Sequence, residues 1–143
     1  GPYAWSTRPR SQARFLVLDT YMKGADGLSY YGGMAWSHAL DPAYRGKRKP
    51  DLFHTDATFY SLFYPDDRQS SLLPSLRLGA FRLGQEDVAA TQVVLDLAKR
   101  NGRGAEIEDA LRQSFSKLDL NSDQSVFDGY RRKLSEMSAE LGR

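Results

Sequence analysis

Few residues in this sequence are of types that carry out bond-making chemistry. It has 143 residues, two histidines and no cysteine. A cysteine nucleophile, a disulfide scaffold and any zinc site with thiolate ligands are therefore excluded. His38 and His54 are the candidates for acid–base or metal work. Their separation fits no compact ligand motif, and polar packing is the competing role. His54-Thr55-Asp56 places an acid near an imidazole, but two positions apart in a loop is a weak orienting signal. Adjacent acids occur as Asp66-Asp67, Glu86-Asp87 and Glu108-Asp109. Glu86-Asp87 falls on a helical stretch, where ion pairing or solvation is expected. Asp119, Asn121 and Asp123 imitate the opening of a calcium loop, but Gln124 stands where glycine is required and Tyr130 where the bidentate glutamate belongs. No phosphate-binding Gly-Lys-Ser/Thr loop and no Gly-x-Ser-x-Gly elbow is present.

The elements that would position these residues divide the sequence unevenly. From Leu76 onward there is no proline, tryptophan or histidine, and the pattern is helical almost throughout. The spacing of Phe15, Leu18 and Met22, widened by Leu16 and Val17, predicts a helix over Ser11–Lys23, stopped by Gly24. Gly27 to Gly33 reads as a short glycine-bounded strand and Thr58 to Tyr64 as a second. Met34 to Asp56 reads as loop. Pro74 is expected to open a long helix that ends at Asn101-Gly102, weakened slightly by Gly79 and Gly84. Further helices are expected over Ala105–Leu118 and about Gln124–Leu141, the last with Asn121 and Gln124 as a capping box. The order of these elements predicts an α/β architecture.

Composition narrows the partners. Twenty basic against eighteen acidic residues leave a net charge of +2, which speaks against a nucleic-acid partner. Arg45 to Lys49 is a short, proline-bounded basic run that reads as a solvated loop. No apolar run approaches the ~20 residues of a membrane span, so no membrane partner is expected. Gly1 to Trp5 lacks the pattern of a signal peptide.

Two blocks carry a family resemblance. The first runs from Arg14-Phe15-Leu16 through Lys23-Gly24-Ala25-Asp26-Gly27-Leu28-Ser29-Tyr30-Tyr31 to Trp36. The second, more specific, is Phe63-Tyr64-Pro65 followed by Leu73-Pro74-Ser75-Leu76-Arg77-Leu78-Gly79-Ala80-Phe81-Arg82-Leu83-Gly84-Gln85-Glu86-Asp87. Together they resemble the end of a glycoside hydrolase family 123-like catalytic domain, a group of (β/α) barrels whose characterised members are β-N-acetylgalactosaminidases. The resemblance covers roughly residues 1–100, and the last two helices match nothing in it. It implies that residues 1–103 are the C-terminal, closing part of a TIM-type barrel and that residues 104–143 are an added helical pair. A whole barrel needs ~250 residues. The family's catalytic Asp-Glu dipeptide, which works with the substrate's own acetamido group, does not occur in this sequence. The resemblance therefore implies a chain inactive by itself, with no cofactor, acting on a carbohydrate substrate together with the missing N-terminal part of the barrel, which is either a separate chain or a part cut away from this one. Arg77 and Arg82 would tie the last helix to the barrel bottom.

On that reading Tyr30, Tyr31, Trp36 and His38 form the sugar-binding rim. Aromatic faces pack against the C–H face of a sugar and phenol oxygens bond its hydroxyls. The alternative role for the tyrosines is core filling. The competing functions are a non-catalytic carbohydrate-binding module and a helical protein-interaction module. An exposed Phe115, Leu118, Phe127, Tyr130, Leu134 stripe would favour the latter.

Overall fold

A computed structural model describes residues 11–29, 62–66 and 71–143. Four helices are built from them: α1 (Ser11–Met22), α2 (Leu76–Arg100), α3 (Gly104–Phe115) and α4 (Gln124–Leu141). Two short strands, β1 (Phe63–Asp66) and β2 (Ser71–Pro74), pair antiparallel with Phe63 opposite Pro74 and Asp66 opposite Ser71.

The α/β architecture expected from the element order is not what forms. The protein is helical, and the described residues contain no part of a parallel barrel sheet; their β structure is this one antiparallel ribbon. The closing part of a TIM-type barrel is thereby overturned as a fold class. Gly27 to Ser29, expected at the start of a barrel strand, take no regular structure. The rest of that expected strand and the loop expected after it fall in residues 30–61, outside the described residues. The physical reason lies in the apolar stripes. A barrel helix buries its stripe on a sheet, whereas these helices bury theirs on one another. One core joins Leu18 of α1, Val94 and Ala98 of α2, Ile107 and Leu111 of α3, and Phe127, Tyr130, Leu134 and Leu141 of α4. Helix α2 packs against each of the other three, and at 25 residues it is about 37 Å long, enough to serve all of them.

Local chemistry sets the helix ends. Helix α1 stops as expected at Gly24, whose φ of +78° favours glycine. The Gly24 N–H donates to Tyr21 O and the Ala25 N–H to Thr20 O, which satisfies carbonyls the helix cannot. Helix α2 starts later than Pro74 suggests. Pro74 closes β2, and Ser75 caps the helix because its Oγ accepts from the Leu78 N–H at 3.2 Å, a bond proline cannot make. Helix α4 is capped by Asp123, not Asn121; the Asp123 carboxylate accepts from the Ser125 hydroxyl, which together with the Val126 and Ser125 N–H groups holds it below its ordinary pKa. Asn121 belongs to the preceding turn, its N–H bonded to Asp119 Oδ1. Helix α3 ends at Phe115, one turn earlier than the apolar spacing predicts, yet Leu118 is still buried.

The two glycines expected only to weaken α2 differ in kind. A Cβ on Gly84 would stand 2.7 Å from Arg14 O and 2.8 Å from Val17 Cβ. Gly84 is thus the point where α1 lies directly on α2. A Cβ on Gly79 would meet nothing within 4 Å. Gly84→Ala is expected to destabilise the fold by about 1–3 kcal/mol through overpacking, although alanine is the better helix former. Gly79→Ala should stabilise it by roughly 0.5–1 kcal/mol. Urea unfolding of the two variants should move the midpoint in opposite directions.

Candidate functional site

Among the described residues, a buried polar cluster is built across α1, α2 and α4. On α2 the buried stripe runs Ala80, Gly84, Asp87, Thr91, Val94, Ala98, a 4-3-4-3-4 spacing in which two members are polar. Asp87 and Thr91 are fully inaccessible to solvent. Opposite them α1 presents Arg14, itself 1% exposed, and α4 presents Phe127, Tyr130 and Arg131.

Asp87 is held by two arginines. Arg14 Nε donates to Oδ2 at 2.5 Å and Arg14 Nη2 to Oδ1 at 3.0 Å, a bidentate fork. Arg131 Nε donates to the same Oδ1 at 2.9 Å. Arg131 continues outward to Glu86 and to Leu83 O, and Arg14 Nη1 reaches the exposed Asp128 at 3.2 Å. The Arg14 guanidinium lies 5.0 Å above the centre of the Phe127 ring. Burial alone would lower the pKa of Arg14; the bonds and charges of Asp87 and Asp128 outweigh it and leave the pKa raised. Below this layer, Thr91 Oγ1 donates to Asp87 O at 2.8 Å, so its single proton is used. Tyr130 Oη, 3.1 Å from Thr91 Oγ1, is then the donor in that pair. Burial pushes the Tyr130 phenol above its ordinary pKa.

This arrangement holds helices together and does not transfer protons. A general acid or base needs access to substrate and a proton it can exchange. Asp87 has no exposure, and both of its carboxylate oxygens accept from arginine. Glu86, its neighbour in sequence, is on the surface and pairs with Arg82 and Arg131. Arg82 accordingly belongs to an exposed i,i+4 pair on its own helix. Glu108 of the third acidic pair bonds Arg112 at 2.8 Å. No group of three or more metal-ligating residues is assembled among the described residues.

A half-open groove of about 420 Å³ lies along the other side of the α1–α2 pair. Val17, Leu62, Phe81 and Val88 give it an apolar floor, and Tyr21, Asp26, Arg82, Gln85 and Gln92 a polar rim. Leu28 and Leu62, which stand close to either end of residues 30–61, both line it. The sequence candidates Tyr30, Tyr31, Trp36 and His38 lie in that interval, outside the described residues, as does His54. Sequence reasoning overlooked Arg14 as the partner of Asp87. The available signal was a charged residue on the buried stripe of α2, matched by an arginine at the start of an otherwise apolar helix.

Phe115, Leu118, Phe127, Tyr130 and Leu134, which would mark an interaction surface if exposed, face inward. Phe115 stacks on Phe15 with ring centres 5.7 Å apart, closing α3 onto α1. No family model matches this chain, and neither a curated protein nor a solved structure is similar to it.

Proposed function

We propose that this chain is a non-catalytic helical part of a glycoside-hydrolase-like protein, contributing carbohydrate-binding surface to an enzyme whose catalytic Asp-Glu pair is supplied elsewhere. The observation that carries the reading is the buried Arg14–Asp87 pair. Arg14 opens the first block of the family resemblance and Asp87 closes the second, 73 positions away. A shared pattern of two distant blocks makes physical sense when the charges at their outer ends neutralise each other in a dry interior. The groove on the opposite side of α1 and α2 supports the carbohydrate assignment. An apolar floor rimmed by amides, a phenol and charged groups suits a ligand with one C–H face and many hydroxyls. Tyr30, Tyr31, Trp36 and His38 are the residues proposed to bind the sugar. A helical protein-interaction module is the weaker reading, because the stripe that would serve it is spent on the core.

The chain alone is expected to release no nitrophenol from a nitrophenyl N-acetylhexosaminide. It is expected to bind N-acetylhexosamines weakly, with transferred NMR signal lost in Tyr31→Ala or Trp36→Ala at unchanged melting temperature. Hydrolysis by the isolated chain, or no sugar binding at millimolar concentration, would refute the proposal.

A further inference from the structure

The turn between α2 and α3 holds a second kind of chemistry, independent of carbohydrate binding. It begins Asn101-Gly102, and each residue has a defined structural task. Asn101 is the C-cap of α2, with φ −90° and ψ 7°. The Gly102 N–H donates to Lys99 O at 3.1 Å and the Arg103 N–H to Ala98 O at 2.8 Å, the paired bonds of a Schellman motif. Gly102 has φ +70°, and a Cβ there would meet nothing within 4 Å. The Asn101 side chain is engaged elsewhere: its Nδ2 donates to Leu141 O, the last residue of α4, at 2.6 Å. Next to it, Arg103 Nη1 bonds Glu140 Oε1 at 2.6 Å. Two contacts from one turn thus hold the end of α4.

We propose that Asn101 is a deamidation site whose modification releases the last turn of α4. The Gly102 nitrogen bonds to Cγ of Asn101 and the Cγ–Nδ2 bond breaks. The Gly102 amide proton departs with that nitrogen as ammonia, leaving a cyclic imide. Water then opens the imide to aspartate or isoaspartate, so no oxidant or reductant is required. Glycine permits the attack because no side chain hinders the approach of its nitrogen. In the closed turn the reaction is restrained, since the Gly102 N–H is bonded to Lys99 O and the Asn101 amide is held on Leu141 O. Transient opening of the end of α4 frees the amide, as helix ends are the first parts to open. Once formed, the product cannot restore the contact. A donor has become a carboxylate that faces the Leu141 carbonyl, and it sits at the negative ends of both α2 and α4.

Asn121, the sequence's other asparagine, is an internal reference because Ser122 follows it and carries a side chain. The full chain, aged in mildly alkaline buffer, is expected to gain about one mass unit at Asn101 well ahead of Asn121. Hydroxylamine should cleave the aged chain between residues 101 and 102, the signature of the imide. Hydrogen exchange at Ser138–Gly142 should become about tenfold faster in the aged form and in Asn101→Asp, from loss of one hydrogen bond and an unfavourable helix-end charge. Glu140→Ala, which loosens α4 without touching Asn101, should speed deamidation. Equal rates at the two asparagines would overturn the assignment. Unchanged exchange at the end of α4 would overturn its release, and an unchanged rate in Glu140→Ala would overturn its control by α4.

Discussion

Asp87→Ala is expected to destabilise the protein by about 3–5 kcal/mol, the cost of leaving a buried charge without its partner. At this chain length that corresponds to a fall in melting temperature of roughly 10 °C or more. The magnitude follows from asymmetry within the cluster. Arg131 is one-third exposed and can turn to Glu86 and water when Asp87 is lost. Arg14, at 1% exposure, has only the exposed Asp128 to fall back on among its carboxylate partners. Asp87→Asn preserves the shape but not the charge and should lose nearly as much. Replacing both partners, as in Arg14→Met with Asp87→Leu, should recover most of the loss, since an apolar pair of similar volume need not pay for desolvation. Thermal and urea unfolding of the three variants check this. A loss below about 1 kcal/mol in Asp87→Ala, the range of surface pairs, would mean that the buried network does not form in solution.

The second large effect is expected at Phe127. This ring is wholly buried and is the face against which Arg14 lies. Phe127→Ala should cost about 3–5 kcal/mol through lost burial and the cavity left behind. Phe127→Leu separates the two contributions, because it retains most of the apolar volume but offers no π face to the guanidinium. The part of its loss owed to that face should be about 0.5–2 kcal/mol. Because Phe127 and Asp87 both act on Arg14, the losses of Phe127→Leu and Asp87→Ala should not add in the double variant. Strict additivity would place the ring outside the Arg14 environment and contradict the geometry.

Both predictions concern residues that sequence reading treated unequally. Phe127 was legible as a core residue because it lies on the α4 stripe with Tyr130, Leu134 and Leu141, and 3.6-residue periodicity is a local signal. Asp87 was legible as an ion-pairing residue on a helix, but its partner and its complete burial were not. Helical spacing relates Asp87 to Leu83 and Thr91; nothing in the spacing relates it to Arg14. The same limit explains the architecture. Strand propensity at Gly27–Gly33 and the helix–strand order suggested a sheet for the helices to cover. The described residues instead place helix against helix, with one antiparallel ribbon of Phe63–Asp66 and Ser71–Pro74.

What the sequence determined by itself is therefore the set of helices and most of their ends. Glycine at 24, the Asn101-Gly102 end of α2 and the apolar repeats of α3 and α4 act within one or two turns, and local signals need no knowledge of neighbours. Tertiary structure alone decided which stripe meets which. It decided that Gly84 is a contact point and not a weak spot, that Asp87 neutralises Arg14, and that Asn101 grips the end of α4. Each of these joins residues far apart in the chain, and their energies come from excluded water and close packing, which exist only once the helices have come together.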